Sequence, residues 1–303
     1  MVKPLGNGPA LRLTPAHPGA ALPVDGVEEL LDRHGALFLQ GYGAGADAAA
    51  AWARRFVRRA LRTPFERVSH AIHRDLQTAT KGTIAQDFHA EFSHLPHCVT
   101  RMVFWCDVPG NPNHIVDGAR LVEALSADVR RTLSGTLLRF TALHTAAMWH
   151  AFTGVSDRES LETLARDIPG YSFTFLPEGG LLTHYLVPAI HPHPVAGPVL
   201  CNNMIPGAYS GLWVTHADGR PLADDVIRAV RDTAHALAAP IRWQAGDILV
   251  LDNTRVMHAR DAQPAHRRLY LVQGWHEAGG DALPAGSNAL NGNHGTSSVV
   301  VVR

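Results

Sequence analysis

His89 and Glu91 stand two residues apart, and His258 follows His89 by 169 positions. Two imidazoles and one carboxylate can occupy one face of a metal ion such as iron(II) and leave three positions open for other molecules. That ligand set is the one used where a metal binds a co-substrate and O2 side by side. The i, i+2 spacing sends both side chains to one side of an extended chain, so Gln86–Phe92 must be strand-like rather than helical. Each imidazole must be neutral to bind the metal, and each is expected to donate its other ring N–H to a carbonyl or carboxylate that fixes its orientation. In a chain with 19 histidines, an isolated His-x-Glu is weak evidence, and most histidines are expected to be surface or hydrogen-bonded core residues.

The flanking text adds to it. Asp87-Phe88-His89-Ala90-Glu91-Phe92-Ser93, Pro96 and Arg101–Gly110 are followed much later by Ala189–Asn203, with its His191-Pro192-His193. Trp243-Gln244-Ala245-Gly246-Asp247 then leads through Asn253 to His258-Ala259-Arg260 and Arg267-Arg268-Leu269. In order and spacing these segments resemble the TauD/TfdA-like family of Fe(II)/2-oxoglutarate-dependent oxygenases, with a lean to its clavaminate-synthase-like and SyrP-like branch, over roughly Gly35 to Trp275.

The resemblance implies a mainly β fold with helical insertions and a double-stranded β-helix (jelly-roll) core. It implies His89, Glu91 and His258 as metal and catalytic residues, with Fe(II), 2-oxoglutarate and O2 as cofactor and co-substrates. The implied reaction is decarboxylation of 2-oxoglutarate to succinate and CO2, coupled to oxidation of an unactivated C–H bond. Hydroxylation is the default outcome; desaturation, cyclisation and isonitrile-type oxidation use the same ligands. Halogenation is disfavoured because Glu91 fills the position a halide would need.

The far carboxylate of 2-oxoglutarate requires a cation, and a guanidinium meets it through two parallel hydrogen bonds. Arg267 and Arg268 are the candidates, and strand alternation admits only one of them to the interior. An Arg-x-Leu pattern points to Arg267, in phase with Leu269 and Leu271; an Arg-Arg-Leu pattern points to Arg268. Where many members carry a threonine toward the co-substrate, this chain has Gly110-Asn111-Pro112-Asn113, and Asn113 is expected to donate in its place. The further arginine of sulfonate-binding members is replaced by Leu271 or Val272, against an alkylsulfonate substrate. The segment from Arg74 through Thr78 to Thr80 is the candidate substrate contact. With the HxE triplet, it leans toward amino acids and peptide-like natural-product intermediates.

The elements that must hold these residues read as one domain, 1–276, followed by a Gly/Asn-rich tail, 277–303. A helix near Val27–His34 and a strand Ala36–Gln40 open it, and a helix near Ala48–Leu61, with Asp47 as its cap, presents Arg54, Arg55, Arg58, Arg59 and Arg62 on a basic face. From about 117 to 170 the leucine spacing reads as a helical insertion. Strands are expected at Tyr171–Phe175, Leu181–Val187, Pro198–Asn203, Asp247–Asp252 and Arg268–Trp275, with a helix at Ala223–Leu237. Asp247 and Asn253 read as turn residues. His94, His97, His184, His191 and His193 read as supporting, substrate-pocket or surface residues rather than ligands. Val299–Val302 could pair as an edge strand in a homo-oligomer.

Composition narrows the partners. The 27 basic and 27 acidic residues balance, so neither nucleic acid nor an anionic membrane is expected. Cys98, Cys106 and Cys201 lack the spacing of a disulfide framework or a zinc site, and no stretch has the length or apolarity of a leader or membrane span. A cytoplasmic enzyme acting on a small molecule, free or held on a carrier protein, is the expectation. The rivals of another class are a redox-neutral cupin-like metal enzyme and an inactive binding module.

Overall fold

Ile248–Asp252 is buried at all five positions, the pattern of a strand covered on both faces. It is the centre of an eight-stranded antiparallel-rich sheet in the computed structural model, which describes residues 1–276 except 7, 64–66, 80–82, 97 and 208–210. Thr80, His97 and the tail 277–303, including Val299–Val302, lie outside the described residues. The sheet runs Val2–Pro4, Leu11–Leu13, Ala36–Leu39, Ile248–Asp252, Arg101–Val108, Arg268–Trp275 and Arg59–Ala60, and Gln77–Thr78 also pairs with Arg268–Trp275. The N-terminal arm thus supplies two edge strands, which its Pro and Gly content had hidden.

Alternation divides this sheet cleanly. Leu37, Leu39, Val103, Trp105, Val250 and Val272 face one way, where the helices Val27–His34 and Ala46–Ala53 cover them with Val27, Leu31, Ala49 and Trp52. Phe38, Phe104, Leu249, Leu251, Leu269 and Leu271 face the other way, toward Ile115, Ile241 and Val256 of a second sheet. That sheet has four strands in the order Ala239–Ile241, Asn113–Asp117, Val256–Arg260, Gln86–His89. Two sheets facing across a shared interior are the double-stranded β-helix core. The outer face of the smaller sheet, through Phe88, Val116 and Met257, joins a separate core with Leu121 and with Val230 and Ala234 of the helix Asp224–Leu237.

The stretch from 117 to 170 differs from expectation. It holds the helices Gly118–Ala124, Ala127–Ser134, Ala146–Thr153 and Arg158–Ala165, but Leu137–His144 between them is a strand. Its inward residues are Leu138, Phe140, Ala142 and His144, a period of two that flanking helical leucines mask in the sequence. It is an inner strand of a third sheet, ordered Tyr171–Phe175, Leu181–Pro188, Leu137–His144, Leu212–His216.

The second helix also stops early, at Ala53 with Gly45 as its N-cap, and Asp47 lies in the first turn rather than at the cap. The expected basic face therefore breaks up. Arg55 pairs with Glu28, and the Arg59 guanidinium lies 4.1 Å above the Trp275 ring. The expected strand Pro198–Asn203 shortens to Gly197–Val199, paired with His191–His193. Among the described residues no helix is long and apolar enough to cross a membrane.

Candidate metal centre

His258 sits on its own strand, Val256–Arg260, directly opposite His89 on Gln86–His89. Both side chains face the interior, and Glu91 follows as the chain leaves the strand into a turn that puts Phe92 at φ 57°. The His-x-Glu pair is therefore extended at His89 and turning at Glu91, which still brings the groups together. Glu91 Oε2 lies 3.8 Å from His89 Nε2 and 3.9 Å from His258 Nε2, and one ligand atom from each residue falls within 4.8 Å of the others. All three are buried.

The electrostatics suit metal ligands. Burial pushes the His89 imidazole below its ordinary pKa even though the Glu91 carboxylate pulls the other way. Burial, then the charges of His89, Arg67 and Arg260, holds His258 well below it. Both rings are neutral at pH 7. His89 Nδ1 donates to the Asp87 carbonyl at 2.7 Å, so Nε2 carries the lone pair that faces Glu91. The companion expectation for His258 fails, because its Nδ1 is buried without a partner among the described residues.

Two asparagines fix the backbone around the ligands. Asn203 Oδ1 accepts from the Ala90 N–H, and Asn253 Oδ1 accepts from the Glu91 N–H while its Nδ2 donates to the Glu91 and Val99 carbonyls. Asn253 read as a turn residue; buried, it clamps both backbone groups of Glu91. Asp247 does serve its turn, accepting from the Gly41 and Gln244 N–H groups.

Sequence reasoning missed Arg67. Its guanidinium is buried with Nη2 2.7 Å from Glu91 Oε1, and Nη1 donates to the Thr78 carbonyl. Glu91 thus keeps one oxygen on Arg67 and turns the other to the histidines, an arrangement for one-oxygen metal ligation. Nothing near Arg67 forms a motif; the contact arises from a chain excursion between the second helix and the first metal strand.

The arginine pair separates as alternation requires. Arg267 lines the central cavity with Leu269 and Leu271, and its Nη2 donates to Asn113 Oδ1 at 2.7 Å. A bulge follows Arg268, whose side chain is exposed and paired with Asp107. Burial, then the Arg260 charge, brings Arg267 down to about 10, so it stays protonated. Gly110 gives it room, since a Cβ there would stand 2.9 Å from Arg267 Cδ and 2.6 Å from Gln263 Oε1. Asn113 is buried against the same site, but its Oδ1 also accepts from Trp243 Nε1 and its Nδ2 donates to the Ala259 carbonyl. It holds Arg267 in place, and one amide hydrogen remains for a ligand.

The cavity is lined by His89, Glu91 and His258 with Arg67, Arg260, Arg267, Asn113, Gln86 and apolar side chains. Arg74 and Thr78 do not line it. A tight hairpin, with Ser69 bridged to Gln77, carries residues 70–76 over the outer face of the large sheet, where Arg74 lines a separate cleft with Val57 and Val272. Thr78 Oγ1 accepts from the Val68 N–H; its neighbour Ala79 reaches the cavity instead. The other histidines support the frame: His191 donates to the Thr254 carbonyl, His193 meets Asp252, His184 meets Thr141 and His94 meets Asn203.

Residues 2–275 match the family described as taurine catabolism dioxygenase TauD, TfdA family. The chain belongs to that family. TauD/TfdA-family members are Fe(II)/2-oxoglutarate-dependent dioxygenases, so the enzyme class, the metal and the co-substrates expected from the sequence stand. No curated protein matches the chain in sequence. Solved structures match in fold. A taurine dioxygenase from Burkholderia xenovorans has 16% identity and a TM-score of 0.57 over 90% of each chain. AAD-2, solved with Mn(II) and N-oxalylglycine, has 13% identity and a TM-score of 0.56 over 90% of this chain and 96% of its own. PvcB, described as an Fe, alpha-ketoglutarate dependent oxygenase from an isonitrile synthetic pathway, has 16% identity and a TM-score of 0.55 over 88% and 85%.

Proposed function

We propose that His89, Glu91 and His258 hold the iron, that Arg267 holds the distal carboxylate of 2-oxoglutarate, and that the enzyme hydroxylates an unactivated C–H bond of an amino acid or peptide-like natural-product intermediate. The substrate is a small molecule, free or carried on a carrier protein, and the enzyme works in the cytoplasm. The observation that carries the reading is convergence: two neutral imidazoles and a carboxylate share one buried point, with a cavity-facing guanidinium on the opposite sheet.

The iron, once bound with 2-oxoglutarate and O2, supplies the oxidising power. The chain's own groups supply position. His89 is locked in its ligating tautomer by the Asp87 carbonyl, Glu91 is steered by Arg67, and Arg267 is aimed by Asn113. Phe104, Met102, Leu269 and Leu271 give the cavity an apolar wall. Where taurine-type members carry the arginine that holds a sulfonate, this chain has Leu271 on the cavity wall, which disfavours an alkylsulfonate held at that position.

The test is substrate-triggered succinate release. Iron-loaded protein is screened against amino acids and peptide-like acids, with product mass giving the outcome of oxidation. A mass gain of one oxygen supports hydroxylation. Loss of two hydrogens moves the reading to desaturation or cyclisation, and an absence of succinate with every iron-binding condition met returns it to the redox-neutral alternative.

A further inference from the structure

Among the described residues, Arg260 is the one guanidinium of the cavity that the proposed chemistry leaves without a task. It lies two residues beyond His258 on the same strand, so both side chains face inward with their rows about 7 Å apart. It is buried, and its Nε and Nη1 have no hydrogen-bond partner among the described residues. Arg67, by contrast, is paired with Glu91, and Arg267 is turned to Asn113.

The charges lining the cavity do not balance. Among the described residues, Arg67, Arg260 and Arg267 face a single carboxylate, Glu91, beside two neutral histidines. A divalent metal and the dianionic co-substrate cancel each other and leave that excess unchanged. A buried charge without a partner is costly, and a guanidinium with free N–H groups is met best by a carboxylate. The same lining argues against an ammonium. Glu91 gives one oxygen to Arg67 and the other to the histidines, and among the described residues no second carboxylate lines the cavity.

We propose that the organic substrate is an amide-capped carboxylic acid, an N-acylated amino acid or peptide-like acid, and that its carboxylate is bound by Arg260. The C–H bond to be oxidised then lies within a few bonds of that carboxylate, because the arginine and the distal histidine are near neighbours on one strand face. This deepens the oxygenase reading above and rests on it.

The experiment uses the full chain, loaded anaerobically with iron(II) and 2-oxoglutarate and followed by the visible charge-transfer band. Three matched series are titrated: N-acetyl-L-amino acids, their methyl esters, and the free amino acids. Members of the N-acetyl acid series should perturb the band and, on admission of air, release succinate; the esters and free amino acids should not. Arg260→Gln should weaken the acids by about tenfold or more while leaving 2-oxoglutarate binding close to wild type, and Arg260→Lys should restore part of the loss. The proposal is overturned if esters or free amino acids act as well as the acids, if no acid acts, or if Arg260→Gln weakens 2-oxoglutarate as severely as loss of Arg267, which would give Arg260 to the co-substrate. Should Arg260→Gln not fold, the wild-type series decides. A wild-type protein that forms no band with iron and 2-oxoglutarate sinks the oxygenase reading itself, a result distinct from all of these.

Discussion

The sheet that carries His89 and His258 and the sheet built on Leu137–His144 are both antiparallel, four-stranded and furnished with buried histidine, yet they use it in opposite ways. On the second sheet two rings are answered by the threonine of a neighbouring strand: His144 Nε2 by Thr183 Oγ1 at 3.1 Å, His184 Nδ1 by Thr141 Oγ1 at 2.9 Å. On the first, two Nε2 atoms converge on one carboxylate oxygen. A histidine whose facing nitrogen is answered by a hydroxyl is satisfied within the protein; histidines whose facing nitrogens meet at one point are placed so that they could share a metal. The same division runs through two adjacent residues, Arg267 aimed into the cavity and Arg268 aimed at Asp107 on the surface.

The comparison breaks most decisively at the ligands. His89→Ala and His258→Ala should each abolish succinate formation and the iron-dependent charge-transfer band, while His184→Ala should leave the band intact. Glu91 needs a gentler change. Its truncation strands the buried Arg67 guanidinium, and removing one partner of a buried ion pair costs about 3–5 kcal/mol. Glu91→Gln should lose iron binding with less damage to the fold, and chemical denaturation of Glu91→Ala against Glu91→Gln measures the difference. Normal turnover by any of the three removes that residue from the metal centre.

Arg267→Ala comes next. A charge-assisted carboxylate contact would be lost from a half-buried site, at roughly 2–5 kcal/mol in 2-oxoglutarate binding. Calorimetric titration of the iron- or manganese-loaded protein should show it as a weaker Kd. Unchanged affinity would move the co-substrate's carboxylate to Arg260 and turn the contrast between Arg267 and Arg268 into a packing difference only.

What the sequence made legible follows from how locally each signal is written. The two ligand stretches and the strand alternation through Leu269 and Leu271 are short-range patterns; they gave the candidate metal residues and the rule that one arginine of the Arg267–Arg268 pair points inward, and left open which. Arg67 and Arg260 were not singled out, since their roles come from tertiary placement: one through a loop that folds back onto Glu91, the other through a cavity whose charge count exists only when both sheets are assembled. Arg74 shows the reverse error. Proximity to the metal strand in sequence suggested proximity in space, but the hairpin closed at Ser69 and Gln77 takes it to the opposite face of the large sheet. Leu137–His144 was hidden by the helices on both sides.

His144 tests the structural half of the comparison through pH. Burial lowers its pKa from the ordinary 6.5 to about 4, so the folded protein holds it neutral. Between those values the unfolded chain binds the additional proton. Stability from this group is therefore full above pH 6.5 and is lost as pH falls toward 4, by up to about 3 kcal/mol. In His144→Gln, urea unfolding should show a flatter acid limb across that window. An unchanged limb would mean that the ring reaches water and that this sheet is looser than its packing indicates.

The smallest effect belongs to Arg268. Its partner Asp107 is 2.6 Å away, but both side chains reach solvent, where water and salt screen the pair and side-chain freedom offsets the contact. Arg268→Ala should therefore bind 2-oxoglutarate as the wild type does and unfold at an indistinguishable urea midpoint. Measured beside Arg267→Ala, it isolates direction as the variable, since the two variants lose the same group from neighbouring positions. If Arg268→Ala instead weakened 2-oxoglutarate, the bulge after Arg268 would have to rearrange on co-substrate binding, carrying the exposed guanidinium across the strand. A second titration in Asp107→Asn, which frees Arg268 without removing it, would then show tighter binding rather than weaker.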